Sequence, residues 1–291
     1  MTYHQFVNEV ERKVKGCVAE NVMVRTHVAI KNNSCERRGI MMAEKGINIS
    51  PTIYLEEYYK EFLNGEPLEQ IAKSILACYE QIRFRQSWET AFIQSFDDIK
   101  RFIVYKVINK DRNEELLKHV PFREVVDLAI VCYVLLRLNN GHTATLLIRH
   151  EHLKLWNVTK EEVFKEAEKN VTKLLPAKLS CMKDVLASMI GLEEESEEDF
   201  MYVMSNEENS FGAVCIFYDG VLEMVYQTIR ENFYIIPSSV HEVIILAESM
   251  APKKKEIEET IRDINETQVE DEEVLSDHVY YYNAQTKTLC M

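Results

Sequence analysis

The sequence predicts an α+β fold, and three observations carry that expectation. Short runs rich in β-branched and aromatic residues fill much of the first 55 positions and return between about residues 200 and 246, divided by turn residues. Amphipathic segments with helix-start signals stand between and after these runs. No GxGxxG or GxxxxGK[ST] loop occurs, so the phosphate-cradling turns common in doubly wound parallel sheets are missing. Mixed or antiparallel sheets with flanking helices follow.

Taken in order, Phe6, Val10, Val14 and Cys17 recur at helical spacing and predict a first helix over about 2–17. Val22, Val24 and His27 to Ile30, then Gly39 to Ala43, then Ile47 to Leu55 read as the short strands of an antiparallel meander, with turns at Asn32-Asn33-Ser34 and Lys45-Gly46. Pro67 opens a helix whose apolar stripe is Leu68, Ile71, Ile75 and Tyr79. Arg101 to Ile108 alternates as a strand, Asn113 to His119 reads as a short helix, and Val125 to Leu138 as a buried strand. Asn139-Asn140-Gly141 is the strongest hairpin signal and joins that strand to Thr143 to Arg149.

Thr159 with Glu162 forms a capping box, stapled by Val158 and Val163, so a helix starts at Lys160 and ends before Pro176. Met182 to Ile190 predicts another helix, and Glu193 to Asp199, six acids in seven positions, a solvated loop. Strands are expected at Met201 to Met204, Ala213 to Phe217, Tyr234 to Ile236 and Val243 to Leu246, with a helix at Val221 to Arg230. A helix from Lys254 to Asn265 and a last strand at His278 to Tyr282 close the chain. No Gly-, Pro- or Ser-rich linker interrupts it. One α+β unit over 1–291 is expected, with sub-lobes at 1–110 and 111–291.

Composition narrows the class of function. The 291 residues are 46% hydrophobic and 28% charged, with eight Gly and six Pro, which excludes collagen-like or generally disordered chains. The longest apolar run, Leu128 to Leu136, is well short of the roughly 18–20 residues that span a bilayer. The first residues, Met1 to Phe6, lack a basic-then-apolar export signal. Lys and Arg number 34 against 48 Asp and Glu, a net charge of −14, which argues against nucleic acid as a partner because such affinity comes from cations displacing counterions. Seven cysteines at irregular spacing form neither a disulfide framework nor a zinc-ribbon pair, and fit the reduced thiols of a cytoplasm.

Several motifs together carry a resemblance. They are IRHEHLKLWNVT (148–159), KNVTKLLPA (169–177), MYVMSN (201–206) with Phe211-Gly212-Ala213, IPSSVHEVI (236–244) and LSDHVYYY (275–282). ISPTIYL (49–55) and RNEELL (112–117) extend it into the first half, so that it covers nearly the whole chain. With these motifs the sequence resembles an uncharacterised domain-of-unknown-function family of anaerobic Gram-positive bacteria. The resemblance implies a mobile-element context and no reaction. Its pattern places Gly after the Trp, where this chain has Asn157, a residue that tolerates the left-handed conformation such a turn needs. A fainter likeness, from the Thr159 helix to Leu246, is to a second uncharacterised bacterial family and implies a fold alone.

Three groups of residues are candidates for chemistry. His150 and His152 flank Glu151 and would share a face, and so approach one metal ion, only in an extended segment; on a helix they diverge. His241 and Glu242 follow Pro237-Ser238-Ser239, so a Ser, a His and a carboxylate lie within five residues; neighbours in one strand point to opposite faces, and no GxSxG elbow accompanies them. Tyr280, Tyr281 and Tyr282 must alternate on a strand, which presents at least one phenol outward or toward a partner, unless the strand is packed on both faces. Cys132 and Cys215 sit in apolar runs as core residues, and Cys290 lies at a mobile end.

The expected function is a cytoplasmic, non-enzymatic interaction or accessory protein, with a protein partner, no cofactor, no metal, no nucleic acid and no membrane. Two alternatives stand beside it. One is a hydrolase or metal-dependent enzyme built on His152, His241 and Glu242, which requires those groups to converge in one cleft. The other is an acidic mimic of DNA.

Overall fold

The structure, a computed structural model, describes residues 1–47, 50–83, 93–137, 143–190 and 201–291. The chain forms two compact units: Met1–Lys31 with Cys35–Phe92, and Asn32–Ser34 with Ile93–Met291. The sub-lobe boundary expected near 110 is thus not where the units divide.

In the first unit Thr2 caps helix α1 (Tyr3–Lys15), its hydroxyl accepting from Gln5 N while Gln5 Oε1 accepts from Thr2 N. Strands β1 (Val22–Ile30), β2 (Glu36–Glu44) and β3 (Thr52–Tyr54) make an antiparallel sheet in the order β1-β2-β3. Gly39 lets β2 approach β3, since a Cβ there would lie 2.5 Å from Thr52 Cγ2 and 2.7 Å from Ile53 O. Helices α2 (Glu56–Leu63) and α3 (Leu68–Ile82) follow. Phe6, Val10 and Val14 of α1 meet Ile71 and Ile75 of α3 and Val24, Ile40 and Met42 of the sheet in one core. Each such side chain contributes about 1.5–3 kcal/mol by leaving water.

The second unit holds two sheets. In one, β6 (Leu128–Arg137) pairs with β4 (Ile103–Asn109) along one edge, and with β5 (Phe122–Val125) and then β7 (Thr143–Leu147) along the other. Helices α4 (His150–Trp156) and α5 (Lys160–Leu174) come next; Asn170 of α5 donates to the carbonyls of Lys100 and Ile103. The chain continues through β8 (Ala177–Cys181), α6 (Met182–Ile190), β9 (Met201–Asn206), a 3-10 helix at Gly212–Phe217, α7 (Val221–Ile229), β10 (Phe233–Ile236), β11 (Val243–Ala247), α8 (Lys254–Thr267), β12 (Tyr280–Asn283) and β13 (Thr288–Cys290). The second sheet is antiparallel, in the order β13-β12-β10-β11-β9-β8. The α+β class stands.

Several expectations are corrected. Ala213 to Phe217 is a 3-10 helix, not a strand: its apolar residues are buried all round, and a short apolar run has no period to separate the two states. The single strand expected over 125–138 is two, broken at Val126-Asp127, where Val126 takes a left-handed φ of 47° in a two-residue turn closed by Val125 against Leu128. Helix α2 and strands β8 and β13 were not anticipated. Cys290 is paired opposite Tyr281 in β13 rather than lying at a loose end. The hairpin signal at 139–141 and the acid run at 193–199 lie outside the described residues.

Candidate functional site

The polar residues singled out by sequence fall into three separate arrangements, all in the second unit. The first is built around His241, at the loop leading into β11. Asn206 ends β9 fully buried, and its side chain closes the next loop: Oδ1 accepts from Glu208 N and Ser210 N, and Nδ2 donates to Ser210 O at 2.7 Å. That loop delivers Phe211 in a left-handed conformation (φ 53°) onto Gly212. A Cβ on Gly212 would meet Ser205 Oγ at 2.3 Å, Asn206 N at 2.5 Å and His241 O at 2.7 Å, so only glycine fits.

His241 locks this corner. Its Nδ1 accepts from Phe211 N at 3.2 Å, its ring stacks on the Phe211 ring at 5.4 Å, and its carbonyl accepts from Ser205 Oγ at 2.8 Å. Because Nδ1 is the acceptor, the neutral ring carries its proton on Nε2, which lies 3.4 Å from Glu273 Oε1. Lys106 Nζ sits 4.1 Å from the centre of the same Phe211 ring. Ser239 Oγ accepts from His241 N, so this serine holds the loop. Glu242 contributes its carbonyl to Ser239 N. With both ring nitrogens engaged, His241 reads as a pin for the Phe211 corner; neither nitrogen is left as a free base.

The second arrangement is helix α4. His150 and His152 lie two residues apart on a helix, so their rings diverge, and the extended geometry that would let both approach one ion is not present. His152 Nδ1 accepts from Arg149 N at 3.0 Å, and its ring stacks on Trp156 at 5.3 Å. Burial, with the Arg149 charge beside it, lowers its pKa, and Glu151 only partly offsets this. Trp156 donates to Ile93 O at 2.7 Å. Asn157 takes the left-handed cap (φ 52°), as the sequence departure at this position requires.

The third arrangement contains the tyrosines. Tyr280 and Tyr282 are buried and point inward, while Tyr281 is the partly open one, its hydroxyl donating to Glu248 Oε1 at 2.9 Å. Tyr280 Oη donates to Asp127 Oδ1 at 2.7 Å and Ser276 Oγ to Asp127 Oδ2 at 2.6 Å, so the carboxylate on the strained Val126 turn ties the two sheets' elements together. Burial, then the Asp127 charge, drives the Tyr280 pKa far up. No turn signal marks Val126-Asp127 in the sequence, which is why this tie was not foreseen.

None of the described hydrogen bonds, ion pairs or ring contacts joins His152 to His241 or Glu242. Among the described residues, no three His, Cys, Asp or Glu side chains are grouped as a metal site, and no helix is long and apolar enough to cross a membrane. Burial raises the thiol pKa of Cys132 and of Cys215, the latter to about 12, so neither is poised as a nucleophile.

One further surface was not singled out by sequence, and it lies in the first unit. Strand β1 pairs with β2 alone among the described residues, and Met23, Val28 and Ile30 stand 51%, 45% and 75% exposed along it. A nine-residue strand with one side unpaired and apolar side chains in solvent is the edge that proteins commonly blunt with charge, proline or a bulge.

These features describe an α+β protein with an organised polar corner and an open sheet edge. The chain belongs to a family of unknown function, DUF5688, whose model matches residues 3–284. No curated protein and no solved structure matches it.

Proposed function

We propose that this protein is a non-enzymatic, cytoplasmic protein-interaction factor, of the accessory kind carried on bacterial mobile elements, that engages a protein partner through strand β1. The observation that carries the reading is that edge. Its outward N–H and C=O groups offer main-chain bonds to an added strand, and Val28 and Ile30 offer the apolar contacts that such strand addition uses for selectivity. The commitment of His152 and His241 to backbone N–H groups supports a non-enzymatic role. Seven cysteines with no disulfide among them support a reducing compartment, and the charge of −14 supports a protein rather than a nucleic-acid partner.

The test is affinity capture from the native host with the tagged parent chain and with a Val28→Lys, Ile30→Lys double variant whose circular dichroism matches the parent. A protein retained by the parent and lost with the variant is the expected outcome. Identical retention by both chains, or none by either, would remove β1 as the surface for a partner other than this chain itself.

A further inference from the structure

The register of the first sheet fixes which side of β1 is open. Lys31 N donates to Cys35 O and Lys45 N to Asn21 O, so the pairs 31–35 and 21–45 are hydrogen-bonded ones. Bonded and non-bonded pairs alternate in an antiparallel ladder. Residues 23, 25, 27 and 29 therefore turn their N–H and C=O toward β2, while Val24, Thr26, Val28 and Ile30 turn theirs away from it. Val22 also lies on the outward set, but its N–H is taken by Ala19 O.

The side chains of this same set divide in two along the strand. Val24 belongs to the core, and Val22 packs against it. Thr26 Oγ1 donates to the Glu11 carboxylate of α1. Beyond Thr26 nothing in that core covers the strand, and Val28 and Ile30 are bare. One half of the face is covered by α1 and the other half is open.

We infer that β1 pairs, antiparallel and about a two-fold axis at Thr26, with β1 of a second copy of this chain. Three features select this occupant. Thr26 is both the midpoint of Val22–Ile30 and a residue whose main chain faces outward, so the axis can pass through a bonded Thr26 pair. In that register Val24 lies opposite Val28 of the partner subunit and Val22 opposite Ile30 of the partner subunit, so every flanking pair on the helix-covered face is β-branched and apolar. The bare half of each strand is also laid beside the covered half of the other, which takes Val28 and Ile30 out of water beside the partner's α1. A shift of one residue would turn the outward groups out of register and place apolar side chains opposite Arg25 and His27. The interface is isologous, as two-fold pairing requires, and closes on itself without leaving β1 free to extend a fibre. It joins two three-stranded sheets into one of six.

This inference rests on reading β1 as the interaction surface and goes further by naming what occupies it. Its test is the mass of the full chain in solution, by light scattering or sedimentation across a concentration series, together with a register-specific cross-link. The parent should run at twice the monomer mass, with a thermal midpoint that rises with concentration, and Val28→Lys with Ile30→Lys should run as a monomer whose circular dichroism matches the parent and whose midpoint no longer depends on concentration. Thr26→Cys should form a covalent dimer under mild copper-phenanthroline oxidation, since bonded partners stand about 5.5 Å apart at Cα and a disulfide spans about 4.4–6.8 Å. His27→Cys lies two positions from its own copy in this register and should give no more dimer than the parent, which serves as the blank for the native thiols.

A dimer unaffected by the lysine pair, or equal cross-linking at 26 and 27, overturns the proposed pairing. A chain that is monomeric throughout also overturns it; if host capture then still depends on Val28 and Ile30, the edge reading survives with a different partner. A monomer with no edge-dependent partner removes both.

Discussion

Replacing Trp156 by alanine tests how the second unit is anchored, and its cost can be worked from three contacts. The indole is 7% exposed, stacks on His152 at 5.3 Å, meets the Phe96 ring at 6.0 Å and donates to Ile93 O at 2.7 Å. Deleting a large buried aromatic costs about 3–5 kcal/mol. Leaving the Ile93 carbonyl without its donor places the value in the upper half of that range. For a unit of this size 1 kcal/mol moves the thermal midpoint by about 2–4 °C, so a cost of about 4 kcal/mol predicts a fall of about 8–16 °C. Trp156→Phe keeps most of the ring contact and loses the N–H, so it should cost about 1–2 kcal/mol. Differential scanning calorimetry of parent, Phe and Ala variants separates packing from hydrogen bonding. An alanine variant melting within about 2 °C of the parent would refute the anchoring argument. A phenylalanine variant as unstable as the alanine one would show that the hydrogen bond, not the ring, carries the energy.

Gly212→Ala should destabilise by about 1–3 kcal/mol, because its Cβ would fall within 2.7 Å of Ser205 Oγ, Asn206 N and His241 O, and overpacking of this kind forces backbone shifts; urea midpoints check it. Val126→Gly should lie within about 1 kcal/mol of the parent, since it relieves about 1–2 kcal/mol of left-handed strain while losing side-chain contacts and freeing the unfolded chain. Val107→Gly, in the fully buried middle of β4, should cost several times more. Thiol labelling of the folded chain should modify exposed Cys17 and Cys290 quickly and spare Cys132 and Cys215 until unfolding. Burial holds the Cys215 pKa at about 12, above the unfolded value of about 8.5. The unfolded chain therefore releases that proton first, and stability falls as pH climbs through about 8.5 toward 12; this slope should shrink in Cys215→Ala. The lowered pKa of His152 acts in the opposite direction: only the unfolded ring gains a proton as pH drops through about 6.5, so stability falls on acidification, and His152→Gln should flatten that limb.

Helices were legible where local chemistry announced them. The Thr159–Glu162 box with its staple places the start of α5, and Pro67 with the Leu68, Ile71, Ile75 and Tyr79 stripe places α3, because caps and period act within a few residues. Helix α2 escaped notice because it leaves β3 through Leu55 with no side-chain cap. The break at Val126-Asp127 was invisible for a different reason: a β-branched residue is the least expected choice for a left-handed turn, and Asp127 is held there by Ser276 and Tyr280, about 150 positions away in sequence. The polar candidates stand out in the sequence by residue type, yet the contacts they make depend on partners such as Phe211 N and Glu273 that no spacing rule connects to His241. The open edge of β1 is a property of the sheet order and cannot be read from the strand itself.

The three residues at the β1–β2 turn have a bearing on how the chain can be cut. Asn32–Ser34 belong with the second unit although the sequence on both sides of them belongs with the first. Asn33 N–H donates to Asn113 Oδ1, Asn113 Nδ2 returns a bond to Asn33 Oδ1, and Asn33 Nδ2 reaches the carbonyls of Asp271 and Val274. A fragment beginning at residue 93 would therefore start with its own fold unfinished, with the buried Asn113 side chain and two carbonyls stripped of their donors. Genes that split or recombine this family at the 92–93 boundary would not produce an independent second half. Fusion or shuffling that keeps the second unit intact must carry Asn32–Ser34 along with the last 199 residues.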